Sequence, residues 1–231
     1  MDLSVRSMTP EVLDDDNVAF ADYQRCLADL AVVNRMTLTH RPALRWLARA
    51  TKALPAGAEI SVLDVGYGDG DLLRAIARWA DRRGLKARLS GIDLNPRSIA
   101  TALAATPPEM GIEYRTGDVF AYTPDERPDF IVSSQFTHHL DDEEVVEFLM
   151  WLQANSARGW HIADLHRNSL NYYLFPLLAD LMRWHPIVRS DGIISITRSF
   201  RRAEWQRYLD KAGVQAEISW CLFRLCVRTL N

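Results

Sequence analysis

The chain has 231 residues, 48% hydrophobic and 25% charged, with a formal net charge of −3 and a pI near 6.1. That composition excludes disorder and coiled coil as the main state, and the mild acidity leaves no electrostatic footprint for nucleic acid or an anionic membrane. No run approaches the ~18 uncharged apolar residues of a membrane span; the most apolar stretch, Tyr172 to Trp184, is interrupted by Asp180 and Arg183. The N-terminus is acidic without an apolar core, unlike a secretory signal, so a cytoplasmic protein is expected. Three cysteines, Cys26, Cys221 and Cys226, with no CxxC, argue against a disulfide framework and a zinc site.

Residues 1–54 read as a helical cap: Ala19 to Val33 carries mixed apolar spacing. Pro42 then opens a second helix with Leu44, Leu47 and Ala48, and Pro55 and Gly57 end it. From Ile60 the pattern alternates. Ile60–Val65 predicts a strand, followed by Gly66-Tyr67-Gly68-Asp69-Gly70 and a helix bearing Leu72, Leu73, Ile76, Ala77 and Ala80, closed by Gly84. Ala87–Ile92 predicts a second strand, ending at Asp93. Asn95 and Pro96 then cap a helix to about Ala105. Ile112–Thr116, Phe130–Ser134 and Trp160–Leu165 predict three further strands, with an Asp141/Glu144 capping box opening the helix Asp142–Ala154.

Strand–helix alternation at this spacing predicts a parallel sheet with helices on both faces, an α/β doubly wound domain over 55–231. Residues 168–200 read as a lid insertion. Leu174, Leu177, Leu178, Leu181 and Met182 form one helical stripe there, Pro176 either starting or kinking the helix, and Asp191-Gly192 reads as a loop. A helix from Arg201 to Ala212 follows, and then two last strands, Gln215–Ser219 and Phe223–Thr229.

The chemistry lies at the strand tips. Glycines between a strand and a helix let the backbone approach a ligand closely, beside free N–H groups at the helix start. A dinucleotide fingerprint needs a small residue where Asp71 stands, and Asp64, Asp69 and Asp71 would repel a pyrophosphate. A cationic ligand fits better. Asp93 can accept hydrogen bonds from both ribose hydroxyls, and Asp118 from an adenine amine.

These residues resemble a known family. Leu63-Asp64-Val65-Gly66-Tyr67-Gly68-Asp69-Gly70 looks like the first motif of the class I S-adenosylmethionine-dependent methyltransferases. Gly91-Ile92-Asp93 resembles their ribose motif and Thr116-Gly117-Asp118-Val119 their adenine motif. Asp129 to Ser134, running into His138-His139-Leu140, is similar to the fourth-strand signature of the ubiquinone-type small-molecule members. The resemblance implies a Rossmann-like seven-stranded sheet with an antiparallel last strand. It also implies S-adenosyl-L-methionine as cofactor, held by Asp64, Gly66, Gly68, Gly70, Asp93, Leu94, Asp118, Val119 and Ser134.

An oxygen acceptor must lose its proton during transfer, which calls for a base, most often His. His138 and His139 follow the fourth strand. Adjacent residues are expected not to face the substrate together, so one of them serves, with Asp164 orienting it. Phe136, His166, Tyr172 and Tyr173 are the expected acceptor contacts, while Arg35 or His40 is placed to meet the methionine carboxylate. Arg198, Arg201 and Arg202 read as a solvated helix start. Ser133-Ser134 and Asp164-Leu165 replace the carboxylates that a metal-assisted catechol mechanism would need, so no metal is expected. The expected activity is O-methylation of a hydrophobic hydroxylated small molecule, aromatic, polyketide-like or quinone-like. The alternatives are N- or C-methylation on the same scaffold, or nucleoside binding without catalysis.

Overall fold

Seven strands form one sheet in the order β3-β2-β1-β4-β5-β7-β6 in a computed structural model that describes residues 2–230. The strands are β1 (Glu59–Val65), β2 (Lys86–Asp93), β3 (Glu113–Thr116), β4 (Phe130–Ser134), β5 (Gly159–Leu165), β6 (Glu217–Cys221) and β7 (Arg224–Arg228). The first five run parallel, and β7 lies antiparallel to both β5 and β6. The expected sheet, with its antiparallel last strand, is present. The chain builds outward from β1 to β3 and then returns to place β4 beside β1. That reversal opens a crevice at the carboxyl ends of the strands, where doubly wound sheets bind ligands.

The helices are α1 (Phe20–Met36), α2 (Arg41–Ala50), α3 (Asp71–Arg82), α4 (Pro96–Ala105), α5 (Asp142–Asn155), α6 (Ser169–Met182), α7 (Pro186–Arg198) and α8 (Arg202–Ala212). Among the described residues no helix is long and apolar enough to cross a membrane. Successive side chains of a strand face opposite sides, and β1 uses this to feed two cores. Ile60 and Val62 pack with Trp46 and Leu47 of α2 and with Leu73 and Ile76 of α3. Leu63 and Val65 pack with Phe148 of α5 and Trp205 of α8. Burial on both faces explains the nearly continuous apolar run of this strand.

A third, smaller cluster joins Cys26 and Val33 of α1 to Ala179 of α6, Trp184 and Val188 of α7. The N-terminal segment thus divides: α2 belongs to the sheet core, whereas α1 and the 168–200 insertion together make a roof. In that roof Pro176 lies inside α6, which starts earlier at Ser169 with Asn168 as N-cap. Asp191-Gly192 is no loop. It sits within α7, where a Cβ on Gly192 would come 2.0 Å from the Phe175 ring. The glycine is there for close helix contact, not for a turn.

Candidate active site

One cavity of about 720 Å³ spans the β1/β4 crevice and the underside of the roof. Its acidic end is built by the strand tips. Gly66, Gly68 and Gly70 all take positive φ (75°, 56° and 77°), which fits the chain's need for glycine in this turn. A side chain on Gly68 would meet nothing within 4 Å, so that backbone stands open to a ligand, while Gly66 and Gly70 make way for the rings of Phe136 and Tyr114. Asp93 at the end of β2 accepts from the Gly68 and Asn95 amides, both at 2.9 Å, tying the loop to the second strand. Burial raises its pKa against these bonds.

Asp64 is buried and its Oδ1 has no hydrogen-bond partner. Burial, together with the charges of Asp71 and Asp93, pushes its carboxyl well above the ordinary range. The two other acids of the loop are paired, Asp69 with Arg74 and Asp71 with His40, each at 2.9 Å. Asp64 and Asp93 have no cation among the described residues. Ser134 Oγ is likewise buried and unpartnered, and exposed Leu94 completes this end of the wall. A ligand carrying positive charge and hydroxyl donors satisfies these atoms, as S-adenosylmethionine does.

Three expected cofactor contacts lie off the cavity wall: Gly70, which faces the Tyr114 ring, and two more, Asp118 and Val119. Asp118 is exposed and caps the short turn Val119–Ala121, accepting from the Phe120 amide at 2.9 Å. Val119 is buried in the core beside Ile92. Neither reaches the cavity wall. Arg35 is exposed and His40 is engaged by Asp71, and neither lines the cavity.

At the other end His138 and His139 sit in a 3-10 turn, Thr137–His139, directly after β4. In such a tight turn neighbouring side chains splay by about a third of a revolution rather than by half. Both therefore line the cavity, their rings 4.4 Å apart, against the expectation that only one could. Their surroundings differ. His138 is buried between two carboxylates, with Nδ1 2.7 Å from Asp164 and Nε2 3.3 Å from Glu11. Burial alone would depress this imidazole, but Asp164 and Glu11 overcome it and raise its pKa to about 10. Both acids fall to about 2, the imidazolium outweighing their own burial. His138 is thus a charged post at neutral pH.

His139 keeps a freer ring. Its Nδ1 meets Asp14 at 3.1 Å, its Nε2 makes no hydrogen bond among the described residues, and the nearest carboxylate oxygen, on Glu11, is 3.9 Å away. Glu11 and Asp14 come from the N-terminal segment, and no spacing in the sequence points to them. Arg198 is another departure: it is buried, donating to the carbonyls of His138 at 3.0 Å and His139 at 2.9 Å, with Arg6 joining at the His138 carbonyl, 2.9 Å.

The roof supplies an apolar wall from Leu27, Leu30 and Val33 of α1 and from Leu174, Phe175 and Leu178 of α6. Asn171, Leu174, Phe175 and Leu178 recur at helical spacing, so that face of α6 points inward. Tyr172 and Tyr173 fall on other faces; Tyr173 is exposed and neither lines the cavity. His166 also stands outside, beside Phe200 in an isolated bridge.

The chain belongs to a family described as "Methyltransferase domain", which matches residues 36–217. Its members use S-adenosylmethionine, consistent with the acidic cradle. The solved structures it resembles include magnesium protoporphyrin IX methyltransferase from Synechocystis PCC 6803 with bound SAH, at 15% identity and a TM-score of 0.56, covering 94% of this chain and 90% of that one. The plantazolicin methyltransferase BpumL in complex with SAH gives 15% identity and a TM-score of 0.62, over 95% and 87%. A SAM-dependent methyltransferase from Aquifex aeolicus gives 17% and 0.56, over 79% and 87%. No curated protein sequence matches the chain.

Proposed function

We propose that this methyltransferase methylates a hydroxyl oxygen of a hydrophobic small molecule, with His139 as general base. The observation that carries the reading is one cavity joining the acidic cradle to an imidazole whose Nε2 makes no hydrogen bond among the described residues and to an apolar wall. Structural neighbours named for porphyrin and plantazolicin methylation accord with a small-molecule or peptide acceptor.

When bound, S-adenosylmethionine supplies an electrophilic methyl group. Asp64, Gly66 and Ser134 are the residues we assign to its methionine end, and Asp93 to its ribose. Asp14 fixes His139 in the tautomer with Nδ1 protonated, which leaves the Nε2 lone pair toward the cavity to take the acceptor's hydroxyl proton. His138 does not serve as base; held as a cation by Asp164 and Glu11, it anchors the N-terminal segment that carries Asp14. The apolar wall orients the acceptor and excludes water, and positioning supplies a large share of the rate.

The test is His139→Ala with a panel of hydrophobic phenols. General-base loss predicts a fall in kcat of about 10²–10⁴-fold with SAH affinity kept within twofold. A fall of only a few-fold would remove the base assignment and favour an amine or carbon acceptor.

A further inference from the structure

Among the described residues the cavity wall carries one guanidinium, which this chemistry leaves unassigned. Arg224 opens β7, in register with Leu165 at the tip of β5. It is 3% exposed and is the only Lys or Arg among the described residues that line the cavity. Its Nη2 donates to Thr37 Oγ1 at 3.0 Å and its Nη1 to the Thr37 carbonyl at 3.5 Å, whereas Nε has no partner. No carboxylate among the described residues pairs with it. Asp164, on the neighbouring strand, is taken up by His138, Thr137 and the Leu165 amide.

The other buried guanidiniums are satisfied: Arg167 by Glu204 and backbone carbonyls, Arg198 by three carbonyls. Among the described buried guanidiniums, Arg224 alone has a nitrogen, Nε, without a partner. Burial lowers its pKa to about 10, which still leaves it charged at neutral pH. A charge kept in such a place needs a counter-charge, and a guanidinium edge matches a carboxylate in two parallel hydrogen bonds.

We infer that Arg224 receives a carboxylate borne by the acceptor, so that the substrate is an amphipathic acid. The inference rests on the reading of this cavity as a methyltransferase acceptor site. Glu11, Asp14, Asp16 and Asp191 also line this cavity, so Arg224 is the one guanidinium on a largely acidic wall among the described residues and the place where an acceptor's carboxylate would be held. The cofactor's amino-acid carboxylate is the other source of the same chemistry: the backbone of Arg224 lies four strand steps from Asp93, roughly 19 Å at about 4.8 Å each, but its guanidinium reaches to Thr37.

Calorimetry on the SAH-loaded protein tests this with decanoate and decan-1-ol as probes. Decanoate is expected to bind at least tenfold more tightly than the alcohol. Arg224→Met should abolish that preference and Arg224→Lys should keep part of it, with SAH affinity unchanged in both. Equal binding of the two probes by the wild-type protein overturns the inference, and that comparison stands even where a variant fails to fold. A preference that persists in Arg224→Met also overturns it. If Arg224→Met weakens SAH but leaves 5′-methylthioadenosine, which lacks the amino-acid arm, unaffected, the guanidinium serves the cofactor and the acceptor assignment falls. Failure of the wild-type protein to bind SAH at all would instead bring down the methyltransferase reading of the site.

Discussion

The two ends of the cavity are made in different ways. The cofactor end consists of strand tips and one tight loop, within residues 64–95 except for Ser134 at the tip of β4, and its geometry follows from hydrogen bonds between near neighbours such as Asp93 and Gly68. The acceptor end gathers residues 11, 14, 138, 139, 175 and 224 from four separate parts of the chain: the N-terminal segment, the turn after β4, α6 and β7. It holds together through buried charge and helix contact rather than through local sequence. The cofactor end is a property of the sheet, and the acceptor end is a property of the roof.

That contrast can be broken most severely at His138. Its replacement by Ala leaves Glu11 and Asp164 buried without their shared cation, at a cost of about 3–5 kcal/mol of stability. Thermal melts read this, and they carry a pH signature. The raised pKa of His138 means its contribution is full below about 6.5 and is lost as pH climbs toward about 10. The depressed pKa values of Glu11 and Asp164 give a second loss as pH falls from about 4 toward about 2. A wild-type melting profile flat from pH 6.5 to 10, or one unchanged in the variant, would contradict the arrangement.

The next effect belongs to the other end. Asp93→Ala should weaken SAH binding by about 10²-fold, the worth of charge-assisted hydrogen bonds to a ribose plus a loosened Gly68 loop, and calorimetry would detect it. A smaller loss is expected in the roof. Gly192→Ala drives a methyl into the Phe175 ring and should cost about 1–3 kcal/mol by denaturant melt, with SAH affinity little changed once folded. Last comes Asp118→Ala. As a turn cap it should cost about 1 kcal/mol or less and leave SAH affinity within twofold; a tenfold loss would restore it as an adenine contact.

The legibility of the molecule divides along the same line. Strand order, the glycine loop and Asp93 are readable because period-2 apolar runs, turn glycines and strand-end acids act over a few residues. The pair His138-His139 is readable as a motif, but the assignment of roles is not, since it depends on Glu11 and Asp14, more than a hundred residues earlier in the chain. Gly192 misleads for an instructive reason: Asp-Gly is a turn dipeptide by local chemistry, yet here the missing side chain serves a helix crossing. Tyr172 and Tyr173 stand out by composition, while the inward residues of α6 are set by which face meets α1. Arg224 gives no signal at all in sequence, because a guanidinium opening a short strand looks like any solvated charge until its burial is known.

Arg6 ties the N-terminal segment to the turn after β4. It donates to the carbonyls of His138, Leu140 and Arg198 and pairs with Asp142, while its guanidinium stacks on Phe200. One side chain from the opening of the polypeptide therefore stitches the turn carrying the imidazoles to the end of α7. On the proposed role of His139, replacing Arg6 would disturb turnover from a distance with the nucleoside cradle left whole, and so yield a protein that still captures its methyl donor yet passes the methyl group on poorly.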